Sequence, residues 1–429
     1  MSAGPDSKNR FAAFAHRGFV LFVISRLLTV IAIEMVSVAV GWQVYLITHR
    51  PLDLGLLGLA QCIPGVLLFL AAGHAADRFS RQRLLVACYL GYAFCAAILL
   101  HFAWRGVVRV APVYLAVLLL GVVRTFDGPV RASLLTEIVP EEAFATAVAW
   151  QGSLQKTATM VGPMLGGVVY ALTGGPKAVY AAGVIGCAAA AAIATAIVGR
   201  ARAARPRGTD LGSVLAGLHY IREHRIILGA ISLDLFAVLL GGAVALLPVY
   251  ARDILKTGPW GLGLLRSAPA IGATLMGAMV AHWRLRKHVG TVMLWCVAVF
   301  GAATIVFGLS RNLLLSLAAL LILGAGDMVS VIIRQTLVQI ATPDTMRGRV
   351  SAVNMLFIGT SNQLGEFESG VTAAWFGIVP AVVLGGVGSI VVVALWAWLF
   401  PELRKVDQLT AEELRVETAA ALETGAPTL

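Results

Sequence analysis

The chain has 429 residues, 59% of them hydrophobic and only 13% charged, with a net charge of +11. Soluble domains carry about 25% charged residues, so composition excludes an ordinary soluble domain and leaves an integral membrane protein. The positive charge does not mark a nucleic-acid binder, because it follows the pattern of loops between apolar stretches rather than forming one basic face.

Apolar stretches of about 20 residues, the length a helix needs to cross a ~30 Å hydrocarbon core, recur along the whole chain. In chain order they predict twelve spans: 19–47, 54–76, 84–104, 110–132, 144–172, 176–199, 226–251, 259–282, 289–309, 313–339, 351–376 and 379–400. The expected fold is therefore all-α, with an N-terminal bundle of six helices (19–199), a linker (200–225), a C-terminal bundle of six (226–400), and flanking segments 1–18 and 401–429. The first stretch is too long for a cleavable signal, carries Arg26 and Glu34, and has no small-residue cleavage site after it, so it is expected to stay.

With an even number of spans, both termini lie on one side. Of the 33 Lys and Arg, twenty fall on that side and seven on the other (Arg50, Arg105, Arg109, Lys177, Arg252, Lys256 and Arg311). By the positive-inside rule both termini are cytoplasmic. The remaining six, Arg26, Arg124, Arg131, Lys156, Arg266 and Arg334, sit within or at the ends of spans and need other reasons. The five cysteines fall inside spans without metal-ligand spacing, and read as small buried hydrophobes. No metal or cofactor is expected.

The linker runs "RARAARPRGTDLGSVLAGLHYIREHRI". Leu211, Val214, Leu215, Leu218 and Ile221 recur at helical spacing, which predicts an amphipathic helix over 210–224 on the cytoplasmic membrane face. A solvated linker is the alternative. The halves on either side repeat: a shift of 203 residues lays Arg131 on Arg334, Pro140 on Pro343, Gly121 on Gly324, Gly162 on Gly365 and Gly167 on Gly370. Two parallel repeats of six spans are the plan of a transporter whose halves rock about a central site.

Three short patterns carry chemistry. "GHAADRFSRQRLL" after span two holds Gly73, Asp77, Arg78, Arg81 and Arg83; span four holds Arg124 and Gly128; span five holds Gly162, Pro163, Gly166 and Gly167. Together they resemble the motifs of the major facilitator superfamily, with Ala158 in place of a leading glycine in the third. Within it, "VGWQVYLIT", "LTEIVPEE" and "LVQIATPDTMRGRVSAVN" are most similar to the branch of enterobactin and macrolide exporters. The resemblance implies alternating access, spans one, four, seven and ten lining a cavity, and, through the third motif, antiport.

Each of those four spans carries charge: Arg26 and Glu34, Arg124 and Asp127, Asp234, and Asp327. Ionisable groups in a membrane are functional candidates, since each costs several kcal/mol unless paired or hydrated. Glu34 shares a helical face with Gly41 and Tyr45, and Glu34 and Asp234 are the expected proton-coupling or cation-recognising acids, with Arg124 modulating one of them. A closed structural ion pair is the alternative for each. Asp77, with Arg78 and Arg81, is the expected latch, while Arg81 and Arg83 could simply enforce topology. In span eleven Glu366 and Glu368 line the cavity or pair with Lys156; both stay open. Pro163 would leave a carbonyl unpaired or bend span five, and the glycines permit close helix packing.

There is no phosphate-binding Gly-x-x-x-x-Gly-Lys-Ser/Thr loop, so energy comes from a gradient and no enzymatic activity is expected. The expected function is a proton-coupled antiporter exporting a drug-like compound or a siderophore, acting as a monomer in the bilayer with small-molecule and proton partners and no nucleic acid. An importer or uniporter of a small metabolite, and a transporter-like receptor, are the alternatives.

Overall fold

A computed structural model describes residues 12–106, 109–198, 211–282 and 288–406. Most of the N-terminal segment, the arginine-rich start of the linker, the loop 283–287 and the tail from 407 lie outside the described residues. Sixteen helices follow in order: α1 Arg17–Thr48, α2 Pro51–Leu67, α3 Phe69–Arg78, α4 Arg81–Trp104, α5 Ala111–Ile138, α6 Glu141–Thr173, α7 Lys177–Thr195, α8 Leu211–Glu223, α9 Arg225–Leu240, α10 Leu247–Val249, α11 Gly258–His282, α12 Val289–Leu309, α13 Leu313–Ala341, α14 Asp344–Phe376, α15 Ile378–Leu399 and α16 Pro401–Lys405. Among the described residues nine helical segments are long and apolar enough to cross a membrane, ten with the bent pair α2 and α3. The two 33-residue helices α6 and α14 also have the length to span but are more polar, a pattern consistent with twelve spans.

Two spans are less regular than their hydropathy predicts. The second bends by 54° between α2 and α3, four residues after Pro64, whose missing N–H and ring disturb the turn before it. The seventh breaks after Leu240 at Gly241-Gly242 and continues through a tight turn over Ala243–Leu246, α10, and a widened π turn at Tyr250–Ile254. Hydropathy reports only that these residues are apolar; two adjacent glycines supply little resistance to unwinding.

The linker helix α8 covers Leu211–Glu223, and part of its apolar side packs on protein. Val214, Leu218 and Ile221 pack with Ile227, Val338, Val350 and Val353, and the Tyr220 hydroxyl donates to the Ala341 carbonyl at 3.2 Å. The tertiary contacts were invisible to periodicity, which gives a face and not its partner.

The chain forms two compact units. Unit 1 comprises Met1–His49, Ile63–Gly208 and Gly258–Ser267; unit 2 comprises Arg50–Cys62, Thr209–Thr257 and Ala268–Leu429. The core of unit 1 joins Phe19, Phe22, Leu85, Tyr89 and Leu134; that of unit 2 joins Leu233, Met293, Ile333 and Trp396. The repeated glycines explain why one end of α2 and one end of α11 leave their sequence neighbours. In unit 1 a Cβ on Gly167 would stand 3.0 Å from Gly263 Cα in α11, and in unit 2 a Cβ on Gly370 would stand 2.7 Å from Gly55 Cα in α2. Such backbone-to-backbone crossings admit only glycine.

Ile221 is 1% exposed and Leu215, on the same helix, 58%. Ile221→Ala should lower stability by about 2–4 kcal/mol, read as an earlier melting midpoint in detergent, whereas Leu215→Ala should stay within ~0.5 kcal/mol of wild type.

Candidate functional site

Hydrocarbon tolerates a charge only when something neutralises it, and unit 1 solves this around one aspartate. Asp127 in α5 is 3% exposed. Its Oδ2 accepts from Arg131 Nε at 3.0 Å, one turn along the same helix, and from Arg26 Nη1 of α1 at 3.0 Å. Arg26 Nε in turn donates to Gln155 Oε1 of α6 at 2.9 Å. Three helices are thereby tied by two arginines, one carboxylate and an amide, leaving the cluster with one surplus positive charge. The second carboxylate oxygen, Oδ1, is buried without a hydrogen-bond partner. Beside the cluster lies a small pocket, with room for about one water, lined by Val23, Arg26, Val30, Gln151, Leu154 and Gln155, among others.

Unit 2 repeats the tie with different parts. Arg334 of α13, 2% exposed, forms an ion pair with Asp234 of α9. Arg334 stands at the repeat position of Arg131, while the repeat position of Asp127 holds Ser330, so the acid here comes from the first helix of the repeat instead of from the arginine's own. A small pocket, with room for about one water, is lined by Asp234, Val238, Phe300, Asp327 and Ser330, with Ala237 and Val297. It lies at the end of α9, directly before the Gly241-Gly242 break.

The other sequence-predicted residues distribute as follows. Gly73, Asp77 and Arg78 lie in α3, Arg81 and Arg83 in α4. Arg81 pairs with Glu137 of α5 rather than with Asp77, and Asp77, half-buried, has no hydrogen bond or ion pair among the described residues. Arg78 and Arg83 are exposed. Glu34 is half-buried on α1, facing Gly162 of α6, where a Cβ would stand 2.6 Å from the Glu34 Cβ; Gly41 and Tyr45 are buried. Arg124 and Lys156 are exposed. Pro163, Gly166 and Gly167 are buried in α6, and Gly166 lies against the Met35 backbone of α1. In α14, Glu366 meets α2 at Gly58, and Glu368 Oε1 accepts from Thr372 Oγ1 at 2.6 Å.

Sequence reasoning picked Asp127 and Asp234 but missed their partners as site residues: Arg131, Arg334 and Gln155, and Glu137 for Arg81. One signal for the first two was present, since Arg131 and Arg334 coincide in the repeat and both lie within spans. Gln155 and Glu137 leave no such trace, because their roles depend on which helix face meets which.

A family model described as "Transmembrane secretion effector" matches residues 8–424. The chain is 26% identical over 412 residues to the enterobactin exporter EntS of Citrobacter koseri, covering 92% of this chain and 94% of that protein. It is 25% identical, with the same coverage, to the enterobactin exporter EntS of Escherichia coli O1:K1. Among solved structures, a bacterial homologue of the human lysosomal transporter Spinster, inward-facing and occupied, superposes with a TM-score of 0.70 at 13% identity, covering 90% of this chain and 97% of that one. A D-xylose-proton symporter superposes with a TM-score of 0.69 at 13% identity, covering 92% and 98%. At these identities the structural likeness establishes the fold alone.

Removing one member of a buried ion pair costs ~3–5 kcal/mol, while replacing both with apolar residues is often neutral. Arg334→Met should therefore lower the melting midpoint strongly, and Arg334→Met with Asp234→Leu should recover most of the loss.

Proposed function

We propose a function on one premise: the chain belongs to the transmembrane secretion effector family of the major facilitator superfamily. It is a multi-pass membrane transporter. Its activity is proton-driven export of a drug-like compound or a siderophore across a bacterial inner membrane, with both termini in the cytoplasm. The enterobactin exporters among its relatives support the direction and the solute class, and the loop charges support the orientation.

The observation that carries the coupling is the Asp234–Arg334 pair beside a cavity that also holds Asp327. Proton binding to Asp234 removes the charge that Arg334 needs, so the tie between α9 and α13 holds in the deprotonated state and loosens in the protonated one. Because α9 ends at a glycine break one and a half turns later, the loosened segment has a hinge at hand. A proton thereby biases a two-state element through a difference in contacts, which is what coupling requires. Glu34, held against Gly162, is the second acid available to this cycle. Asp77, at the end of α3 and without a partner among the described residues, is the gating carboxylate: it pairs with cations in the alternate conformation, while Arg81 stays anchored on Glu137.

Everted vesicles test the reading directly. With an acid interior they should accumulate antibiotics or siderophores to which overexpression confers tolerance, and nigericin should abolish the accumulation. Asp234→Asn should uncouple transport from the pH gradient, and Asp77→Asn should cut the rate at least tenfold with unchanged membrane insertion. Accumulation only in right-side-out vesicles would overturn export, and a wild-type rate in Asp77→Asn would overturn the gate.

A further inference from the structure

The membrane-spanning helices of the two units carry opposite charge along their lengths. Counting only groups more than about one and a half turns from a helix end, the spans of unit 1 hold Arg26, Arg124, Arg131, Lys156 and Arg266 against Glu34 and Asp127. The spans of unit 2 hold Asp234, Asp327, Glu366 and Glu368 against Arg334. The acids of unit 2 are the material of proton coupling. The cationic surplus of unit 1 has no use in that scheme.

Within it, Arg266 differs from the arginines already described. Arg26 and Arg131 are neutralised by Asp127. Arg266 lies eight residues into α11, about 12 Å along the helix at ~1.5 Å per residue, at membrane depth and half-buried. Its Nη2 donates to Ser37 Oγ of α1 at 2.8 Å; among the described residues that is its single side-chain hydrogen bond, and it has no ion pair. Glu34, one turn from Ser37, does not pair with it. The remaining guanidinium nitrogens are not sealed away without partners, so part of their surface stays accessible. The support is rigid, since Gly263, one turn earlier, lies against the α6 backbone, where a Cβ would stand 2.6 Å from the Pro163 carbonyl oxygen.

A guanidinium held at that depth, fixed by one neutral hydroxyl and short of a counter-charge, is built to receive an anion. We propose that Arg266, positioned by Ser37, binds an anionic group of the solute, a carboxylate, sulfonate or phenolate on an organic molecule. The planar fork of Arg suits two oxygens at once, so lysine replaces it only in part. The proposal deepens the export reading and rests on it for the claim that the bound anion is the transported one.

The test uses two dyes with the same xanthene frame and opposite charge, fluorescein as the anion and rhodamine 123 as the cation, bound to the full chain in nanodiscs and read by fluorescence anisotropy against empty discs. Wild type should bind fluorescein, Arg266→Gln should weaken it at least tenfold, Arg266→Lys should fall between them, and rhodamine 123 should be indifferent to all three. Melting midpoints establish that the variants are folded. Fluorescein bound no better than by empty discs, or equally by wild type and Arg266→Gln, overturns the site, as does a preference for rhodamine 123. Outward flux of fluorescein that is equal in wild type and Arg266→Gln leaves export standing and removes the anion site; Arg266-dependent fluorescein binding without outward flux does the reverse.

Discussion

An arginine inside a membrane must find a carboxylate or pull water in with it, at a cost of ~2.5–3.5 kcal/mol at the helix centre even on the mildest scale. In this chain that demand falls on the same position twice, at Arg131 and at its repeat partner Arg334, and each time the response fixes how helices are held together. In unit 1, Asp127 meets two arginines at once and binds α1, α5 and α6 into one cluster. In unit 2, Asp234 crosses from α9 to meet Arg334 on α13. One repeated plan thus carries two electrostatic solutions.

The difference between those solutions bears on function. A carboxylate held by two arginines, one on its own helix and one on α1, is fixed from two sides and acts as a clasp. A carboxylate facing one arginine, beside a small pocket and next to a broken helix, is tied at one point and has somewhere for the movement to go. Pseudo-symmetry supplies the scaffold, and departure from symmetry supplies the chemistry: the Asp127 position becomes Ser330, and the acid moves to the helix that breaks at Gly241-Gly242.

The glycine crossings complete the mechanical picture. Gly167 against Gly263, and Gly370 against Gly55, bring backbones together with no side chain between them. Contacts of this kind are made by backbone shape alone, with no side chain between the helices. They also fix the depth and direction of Arg266, one turn beyond Gly263. The polar solute site and the packing motif are therefore consequences of the same few residues.

Much of this was legible before any coordinates. Hydropathy gave the membrane class and nearly all the spans, because twenty apolar residues in a row have one destination, and the 203-residue repeat announced two related halves. Charged residues within spans named Asp127, Asp234, Glu34 and Asp327 as candidates, because charge in hydrocarbon is conspicuous in a sequence. What sequence could not supply was pairing. Arg81 turned to Glu137 rather than Asp77, Val214, Leu218 and Ile221 of α8 packed against Val338, Val350 and Val353, and Arg266 emerged as a lone cation beside Ser37. A one-dimensional pattern records which residues need a partner; the partner lies on another helix, at a distance set by how their faces rotate and cross, and only the tertiary structure decides that.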